Sequence, residues 1–180
     1  MIVGIVAAKA NSTRFPGKNE FMLDGEPLFW HSVKPLLGSL KIDHVYVATD
    51  SPSIKKYCED RNVRVIWRAK NATVDEDPLL SILKFAYYNL DEPYDMVVTI
   101  MANCPGHTSA SVDEAIAMME TGHFWEIRSF NSQKEEAGLM IYKREVITTK
   151  FQVSSYIGAV YTDVNEIHHR EDINGNHEKH

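Results

Sequence analysis

Short, continuous apolar runs alternate with stretches of helical spacing along most of the chain. The first run, Ile2-Val3-Gly4-Ile5-Val6-Ala7-Ala8, has no polar position on either face. A strand tolerates that only when both faces are covered, as in the centre of a parallel sheet. Pro27 suits the first turn of a helix, with Leu28, Phe29, Val33, Leu36 and Leu37 inward. Residues 44–50 predict a second strand that ends on a hydroxyl and a carboxylate, Thr49 and Asp50. Ser51 and Pro52 then open a helix toward Arg61. A short third strand at 63–67 precedes a polar loop at 68–77. Leu79, Ile82, Leu83, Ala86, Tyr87 and Leu90 share one helical face, and 96–101 forms a fourth apolar strand. Residues 111–120 predict a further helix.

Beyond residue 124 the alternation weakens. Segments 124–130, 139–142 and 155–161 predict strands, the first two separated by a charged loop at 133–136. Residues 144–149 allow a helical turn or two, and 168–180 read as a short helix plus a frayed polar tail. No linker or low-complexity block interrupts the chain, so one domain over 1–180 is expected, with the tail near 170–180. Alternating strands and helices with right-handed crossovers imply an α/β fold with a doubly wound, mostly parallel sheet. Ligands of such sheets bind at the carboxyl ends of the strands, where the strand order reverses. The loops at 9–19, 49–52, 68–77 and 102–110 all leave strand ends and should face one crevice.

Composition narrows the function classes. The 180 residues are 44% hydrophobic, enough for a real core, and the net charge is −6. An acidic chain without a basic face argues against nucleic acid as the main partner. No apolar stretch approaches the roughly 20 residues of a membrane helix, and no signal-peptide pattern begins the chain. Cys58 and Cys104 have neither metal nor disulfide spacing, so a reducing, cytoplasmic setting is expected.

Against this acidic background the loop after the first strand stands out. Lys9-Ala10-Asn11-Ser12-Thr13-Arg14-Phe15-Pro16-Gly17-Lys18-Asn19 joins small residues to three cations. Small side chains let backbone N–H groups approach phosphate oxygens, and Lys9, Arg14 and Lys18 supply counter-charge. A solvated turn is the plain alternative, and the residue order favours phosphate. Asp50 is either a helix cap or a ligand, and Arg68 either a site residue or a surface partner of Asp75 or Asp77. Cys104 has no partner base and reads as a packing residue. Glu166 and His168, two apart on an extended segment, would share a face as a metal pair does, though an exposed strand end explains them too.

The run Ile5–Asn19 resembles the signature loop of the sugar-acid cytidylyltransferases. These comprise the acylneuraminate (CMP-sialic acid) and CMP-Kdo synthetases and related spore-coat polysaccharide proteins. The resemblance continues through Gly25-Glu26-Pro27-Leu28, Val47-Ala48-Thr49-Asp50-Ser51, Arg68, Ala102-Asn103-Cys104-Pro105 and residues 137–142, and loosely to Glu166-Ile167-His168 with Asp172. It implies a nucleotide-diphospho-sugar transferase-like fold, a Rossmann-like three-layer sandwich. It also implies transfer of CMP from CTP to a sugar acid with release of pyrophosphate. Magnesium assists, with manganese as the alternative ion, and a homodimer is common. Carried over by position, Lys9, Arg14 and Lys18 would be catalytic. Ala8, Lys9, Ser12, Arg14, Lys18, Asn19 and Arg68 would bind the nucleotide, and Asp50, Glu166 and His168 would hold the metal.

Several positions depart from the family pattern. Lys9 stands where the family usually has Arg, keeping charge but losing the planar fork. Met101 replaces a Gln, and Pro78 and Leu79 replace a pair of Ser. Glu166-Ile167-His168 replaces an Asp-Ile-Asp metal pair, a softer donor set than magnesium prefers. The region after 124, which builds a dimerisation extension in relatives, is reduced, leaving a monomer or a different dimer open. Two other functions therefore stay in view: a transferase for another nucleotide or a sugar phosphate, and a non-catalytic nucleotide-binding relative.

Overall fold

The computed structural model describes residues 1–10, 15–68, 78–149 and 156–172. Nine strands and five helices are described: β1 (Ile2–Ala8), β2 (Met22–Leu23), β3 (Glu26–Pro27), α1 (Trp30–Leu37), β4 (His44–Thr49), α2 (Pro52–Glu59) and β5 (Arg64–Trp67) come first. Then follow α3 (Pro78–Tyr87), β6 (Met96–Ile100), α4 (Ser109–Thr121), β7 (Glu126–Phe130), β8 (Glu136–Lys143), α5 (Arg144–Thr148) and β9 (Ile157–Tyr161). A 3-10 turn at Lys18–Glu20 precedes β2.

Seven strands form one sheet in the order β5-β4-β1-β6-β8-β7-β9. β1 pairs in parallel with β4 on one side and β6 on the other, so the strand order reverses between β1 and β6. β8 runs antiparallel to both β6 and β7, and the other six strands share one direction. The expected doubly wound, mostly parallel sheet is therefore present, with one reversal that periodicity does not encode.

The two faces of β1 explain its composition. Ile2, Val6 and Ala8 pack with Val33 and Leu36 of α1, Ile54 of α2 and Val112 and Ile116 of α4. Val3 and Ile5 pack on the other side with Leu83 and Ala86 of α3 and Ile147 of α5. This gives three layers, helices on both sides of the sheet. Gly4 lets α1 lie close, since a Cβ there would meet Leu36 at 3.3 Å. Ser51 caps α2 by accepting the Ile54 N–H, with Pro52 in the first turn. Thr108 and Ser111 form a reciprocal capping box on α4.

Three local expectations change. Pro27 does not open α1, because it pairs with Met22 in the small β2–β3 hairpin, and the helix starts at Trp30. Leu37 is exposed rather than inward: it is the last residue of α1, one step past the buried Leu36. The charged segment at 133–136 is shorter than expected, because Glu136 already belongs to β8.

The loop after β6 is pressed against β8. Met101 donates its N–H to the Gly138 carbonyl at 2.9 Å, and His107 bonds the Ala137 carbonyl through Nε2 at 2.6 Å. Gly138 has φ +82, and a Cβ there would lie 2.3 Å from the Cys104 sulfur. Gly138→Ala is therefore expected to cost about 2–4 kcal/mol in urea unfolding, from the left-handed backbone and the overpacking together. Adding Cys104→Ala should recover part of that loss.

His107 supplies a second measurable quantity. Burial holds its pKa below the usual 6.5, although the Ala137 carbonyl opposes this. The unfolded chain therefore takes up this proton more readily than the folded one. Stability from neutral His107 is complete above about pH 6.5 and falls as pH drops below it. Urea midpoints at pH 7.5 and 5.5 should differ more for the wild type than for His107→Gln.

Candidate functional site: a cleft at the strand-order reversal

Both ends of the small-residue loop after β1 are pinned. At its start, the Ala10 N–H donates to Asp50 Oδ1 at 2.7 Å, and the Lys9 carbonyl accepts Asn19 Nδ2 at 2.9 Å. At its end, Glu20 accepts the hydroxyls of Ser51 at 2.6 Å and Ser53 at 2.8 Å. Lys18 Nζ donates to the Ile167 carbonyl at 3.1 Å. These contacts tie the loop to the carboxyl end of β4 and to a strap of chain that follows β9.

The strap is held by a two-way pairing with the loop after β6. The Ile167 N–H donates to the Asn103 carbonyl at 2.8 Å, and Asn103 Nδ2 donates back to the Ile167 carbonyl at 3.1 Å. The Ile167 side chain is fully buried with Leu23 and Leu28. Its neighbours, Glu166 and His168, approach each other, with Glu166 Oε2 and His168 Nε2 3.0 Å apart. Asn103 Nδ2 also lies 3.4 Å from Glu166 Oε2.

A cleft of about 280 Å³ opens where these segments meet, at the carboxyl ends of β1 and β6. Lys9, Lys18, Asn19, Asn103, Glu166 and His168 form its polar wall. Pro78, Leu79, Ile82 and Met101 supply apolar lining. Two cations, a carboxylate and an imidazole thus border one opening, a charge set suited to a phosphate group with a bridging cation. Cys104 lies beneath and is fully buried; burial raises its pKa well above the usual thiol range, so it packs and does not act as a nucleophile.

A family profile described as Cytidylyltransferase matches residues 3–171. The chain belongs to the cytidylyltransferase family. Among curated relatives it is similar to a CMP-N,N'-diacetyllegionaminic acid synthase of Legionella pneumophila, 27% identical over 64% of this chain and 51% of that protein. A 3-deoxy-manno-octulosonate cytidylyltransferase of Bdellovibrio bacteriovorus is 33% identical over 62% of this chain and 43% of that protein. The chain thus spans about half, or less, of the curated relatives it matches. In fold it is similar to a CMP:2-keto-3-deoxy-manno-octonic acid synthetase solved with CTP, with a TM-score of 0.79. That likeness covers 98% of this chain and 97% of the other at 13% identity.

Within this family frame, the residues singled out by sequence divide into groups. Lys9, Lys18, Asn19, Glu166 and His168 come together around the cleft. Ser12, Arg14, Asp75 and Asp77 lie outside the described residues. Ala8 is fully buried in the core, and it is Ala7 that borders the cleft, because successive strand residues point to opposite faces. Any nucleotide contact from Ala8 would have to come from its backbone.

Asp50 lies apart from the other two expected metal residues. The expected set of Asp50, Glu166 and His168 is not one cluster, and among the described residues no three His, Cys, Asp or Glu side chains gather for a metal. Asp50 is instead held at the end of β4 by the Ala10 N–H, with Arg68 Nη2 3.9 Å away. Nor does it cap α2, since Ser51 does. Arg68 is correspondingly buried, 4% exposed, so it is no surface partner, and it does not border the cleft. Asp172 accepts the N–H groups of His168 and His169, which keep its pKa below the usual carboxylate range, so it closes the turn after the strap.

Asn103 belongs to the stretch Ala102-Asn103-Cys104-Pro105, and its hold on the strap is not among the sequence expectations. Apart from that stretch, its sequence signal is a polar residue three positions after the apolar β6. Pro78 and Leu79, which replace a Ser pair, do fall on the cleft wall.

Asp50→Ala would orphan the Ala10 N–H and leave Arg68 as a buried charge. A loss of about 3 kcal/mol or more in urea unfolding is expected. Asp50→Asn keeps an acceptor for Ala10 and should lose measurably less.

Proposed function

We propose that this chain transfers the CMP moiety of CTP to a hydroxyl of a sugar acid, releasing pyrophosphate. The reading rests on one observation above all: in a member of the cytidylyltransferase family, Lys9, Lys18 and the Glu166–His168 pair border a single cleft at the strand-order reversal. The sugar hydroxyl oxygen forms a bond to the α-phosphorus as the bond from that phosphorus to the bridging oxygen breaks. The hydroxyl proton passes to solvent and the pyrophosphate carries away the negative charge. Such a transfer asks the protein chiefly for positioning and for neutralisation of phosphate charge.

Lys9 and Lys18 provide that neutralisation as point charges. Lys18 gives up or shares the Ile167 carbonyl when phosphate binds, which couples the strap to nucleotide occupancy. Asn19 holds the Lys9 carbonyl and so acts through the loop. Arg68 acts through Asp50 in the same way. Ser12 and Arg14 complete the loop in this reading.

The residues present fit a divalent cation in part. The Glu166 carboxylate suits magnesium, which usually takes one or two protein carboxylates and leaves the remaining positions to phosphates and water. The His168 imidazole suits manganese better. Held by these two side chains, the ion would supply Lewis-acid stabilisation of the phosphate charge. A cytoplasmic setting agrees with the two free, buried cysteines, and no described helix is long and apolar enough to cross a membrane. The exposed edge at Tyr156, Ile157 and Tyr161 agrees with a homodimer.

Lys18→Ala is expected to reduce CTP-dependent pyrophosphate release by at least about a hundredfold, equivalent to roughly 2.7 kcal/mol of transition-state stabilisation. Its thermal midpoint should stay close to that of the wild type. A thermal-shift panel of CTP, GTP, UTP and ATP with magnesium or manganese provides the companion measurement. Selective stabilisation by a nucleotide other than CTP would reject the CMP assignment, and CTP binding without turnover on any sugar acid would leave a non-catalytic relative.

A further inference from the structure

The two outer strands of the seven-stranded sheet are finished differently. β5 opens on the exposed Arg64, and Lys55 lies over the ring of its Trp67, 5.7 Å from the centroid. β9, Ile157-Gly158-Ala159-Val160-Tyr161, contains no charged residue and no proline. An edge strand presents a row of open main-chain groups, and lone proteins usually guard it with charge, proline or a cover. β9 has β7 as its one neighbour among the described residues. The Phe130 carbonyl accepts the Thr162 N–H at 2.8 Å, and the Tyr156 carbonyl accepts the Trp125 N–H at 2.9 Å. Even-numbered residues thus turn their main-chain groups toward β7. Those of Ile157, Ala159 and Tyr161 face outward, and no described residue pairs with them.

The side chains of the same three residues are uncovered as well. Gly158 faces α4, where a Cβ would meet Met118 and Phe124 at 3.2 Å. Ile157, Ala159 and Tyr161 point to the other side of the sheet, and the core packed there under α3 and α5 includes no residue of β9. All three are exposed, Ile157 by 50% and Tyr161 by 73%. Tyr156, just before the strand, is 59% exposed. Apolar side chains and open main-chain groups therefore coincide along one short edge.

We infer that β9 pairs antiparallel with β9 of a second copy, about a two-fold axis at Ala159, joining the two sheets into one. In that register outward residues meet outward residues. Ala159 lies opposite the partner's Ala159, and Ile157 lies opposite the partner's Tyr161 on each side of the axis. Each such pair exchanges two N–H···O bonds, so every outward main-chain group of the strand is closed. A residue on a two-fold axis meets its own copy, and alanine brings neither bulk nor like charge there. The flanking pairs set an aromatic ring against a β-branched side chain, a favourable cross-strand combination. The two strands with Tyr156 and Tyr161 would bury on the order of 1,000 Å² in total, the lower bound for a specific interface. A reversible dimer follows, with a dissociation constant on the order of 1–100 μM. A second copy is favoured over a foreign peptide because the strand complements itself in both side-chain and main-chain pattern.

The inference rests on the homodimer reading and is independent of CMP transfer, so its test needs no turnover. Sedimentation equilibrium of the full chain, from micromolar to several hundred micromolar, should show a monomer–dimer equilibrium. Ala159→Lys and Ala159→Glu each set like charges opposite each other on the axis and should weaken the dimer at least about tenfold. Mixed in equal amounts, the two variants should recover most of the association, because unlike charges then meet. Both substitutions fall on an exposed side chain, and a thermal midpoint close to the wild type for each checks that they fold. Leu40→Lys, on a residue 93% exposed elsewhere, should leave the equilibrium unchanged. Hydrogen exchange should slow at the Ile157, Ala159 and Tyr161 amides as concentration rises through the dissociation constant. A chain that stays monomeric throughout overturns the inference together with the homodimer. A dimer indifferent to both Ala159 variants, or variants that stay apart when mixed, overturns β9 pairing and leaves the homodimer standing on another surface.

Discussion

The Ile167 peptide joins three parts of the molecule that are far apart in sequence. Its N–H and carbonyl both engage Asn103 at the end of β6, its carbonyl also accepts Lys18 from the first loop, and its side chain is buried with Leu23 and Leu28. Remove that anchoring and the strap has no reason to cross the strand ends. Glu166 and His168 would then lose their common position at the cleft. The hydrogen bonds are individually modest, about 1 kcal/mol each, but they are cooperative with burial of an Ile that has nowhere else to pack. The polar rim of the cleft therefore depends on an apolar side chain pointing away from it.

A second constraint works on the opposite side of the cleft. Asp50 is nearly buried, and it both fixes the Ala10 N–H and faces Arg68. Burying this pair costs desolvation, and only the defined geometry at the strand ends offsets it. The loop gains a fixed starting point in return. Charges near the cleft thus fall into two kinds: those that border the opening, such as Lys9 and Lys18, and those that hold the frame.

Much of this frame was legible in the sequence, for identifiable reasons. An all-apolar β1 can exist only between two helical layers, and that single fact carries the fold class. Glu166 and His168 were readable as neighbours because extended residues two apart share a side, and the strap, though not a regular strand, keeps them 3.0 Å apart. Other features were not legible. The reversal of β8 leaves no trace in periodicity, since a buried antiparallel strand is as apolar as a parallel one. Pro27 looked like a helix start because proline favours that position, yet the same fixed φ suits the short β3. Asp50 could be read as a metal ligand because a carboxylate at a strand end is chemically ambiguous. Its contacts with Ala10 and Arg68 join residues too far apart in sequence for local pattern to reveal. The pairing of Asn103 with Ile167 joins residues 64 apart, a separation at which local pattern says nothing.

The bond from Lys18 to Ile167 spans 149 residues. During synthesis at about 5–20 residues per second, roughly 7 to 30 seconds separate the making of its two ends. β1, β4 and β5 can find one another early in that interval, yet the rim of the cleft cannot close until Ile167 has emerged. For that time Ile167's partners, Leu23 and Leu28, sit in the nascent chain without their cover. The emerging protein would bring its half-built cleft before chaperones long before the strap could complete the rim.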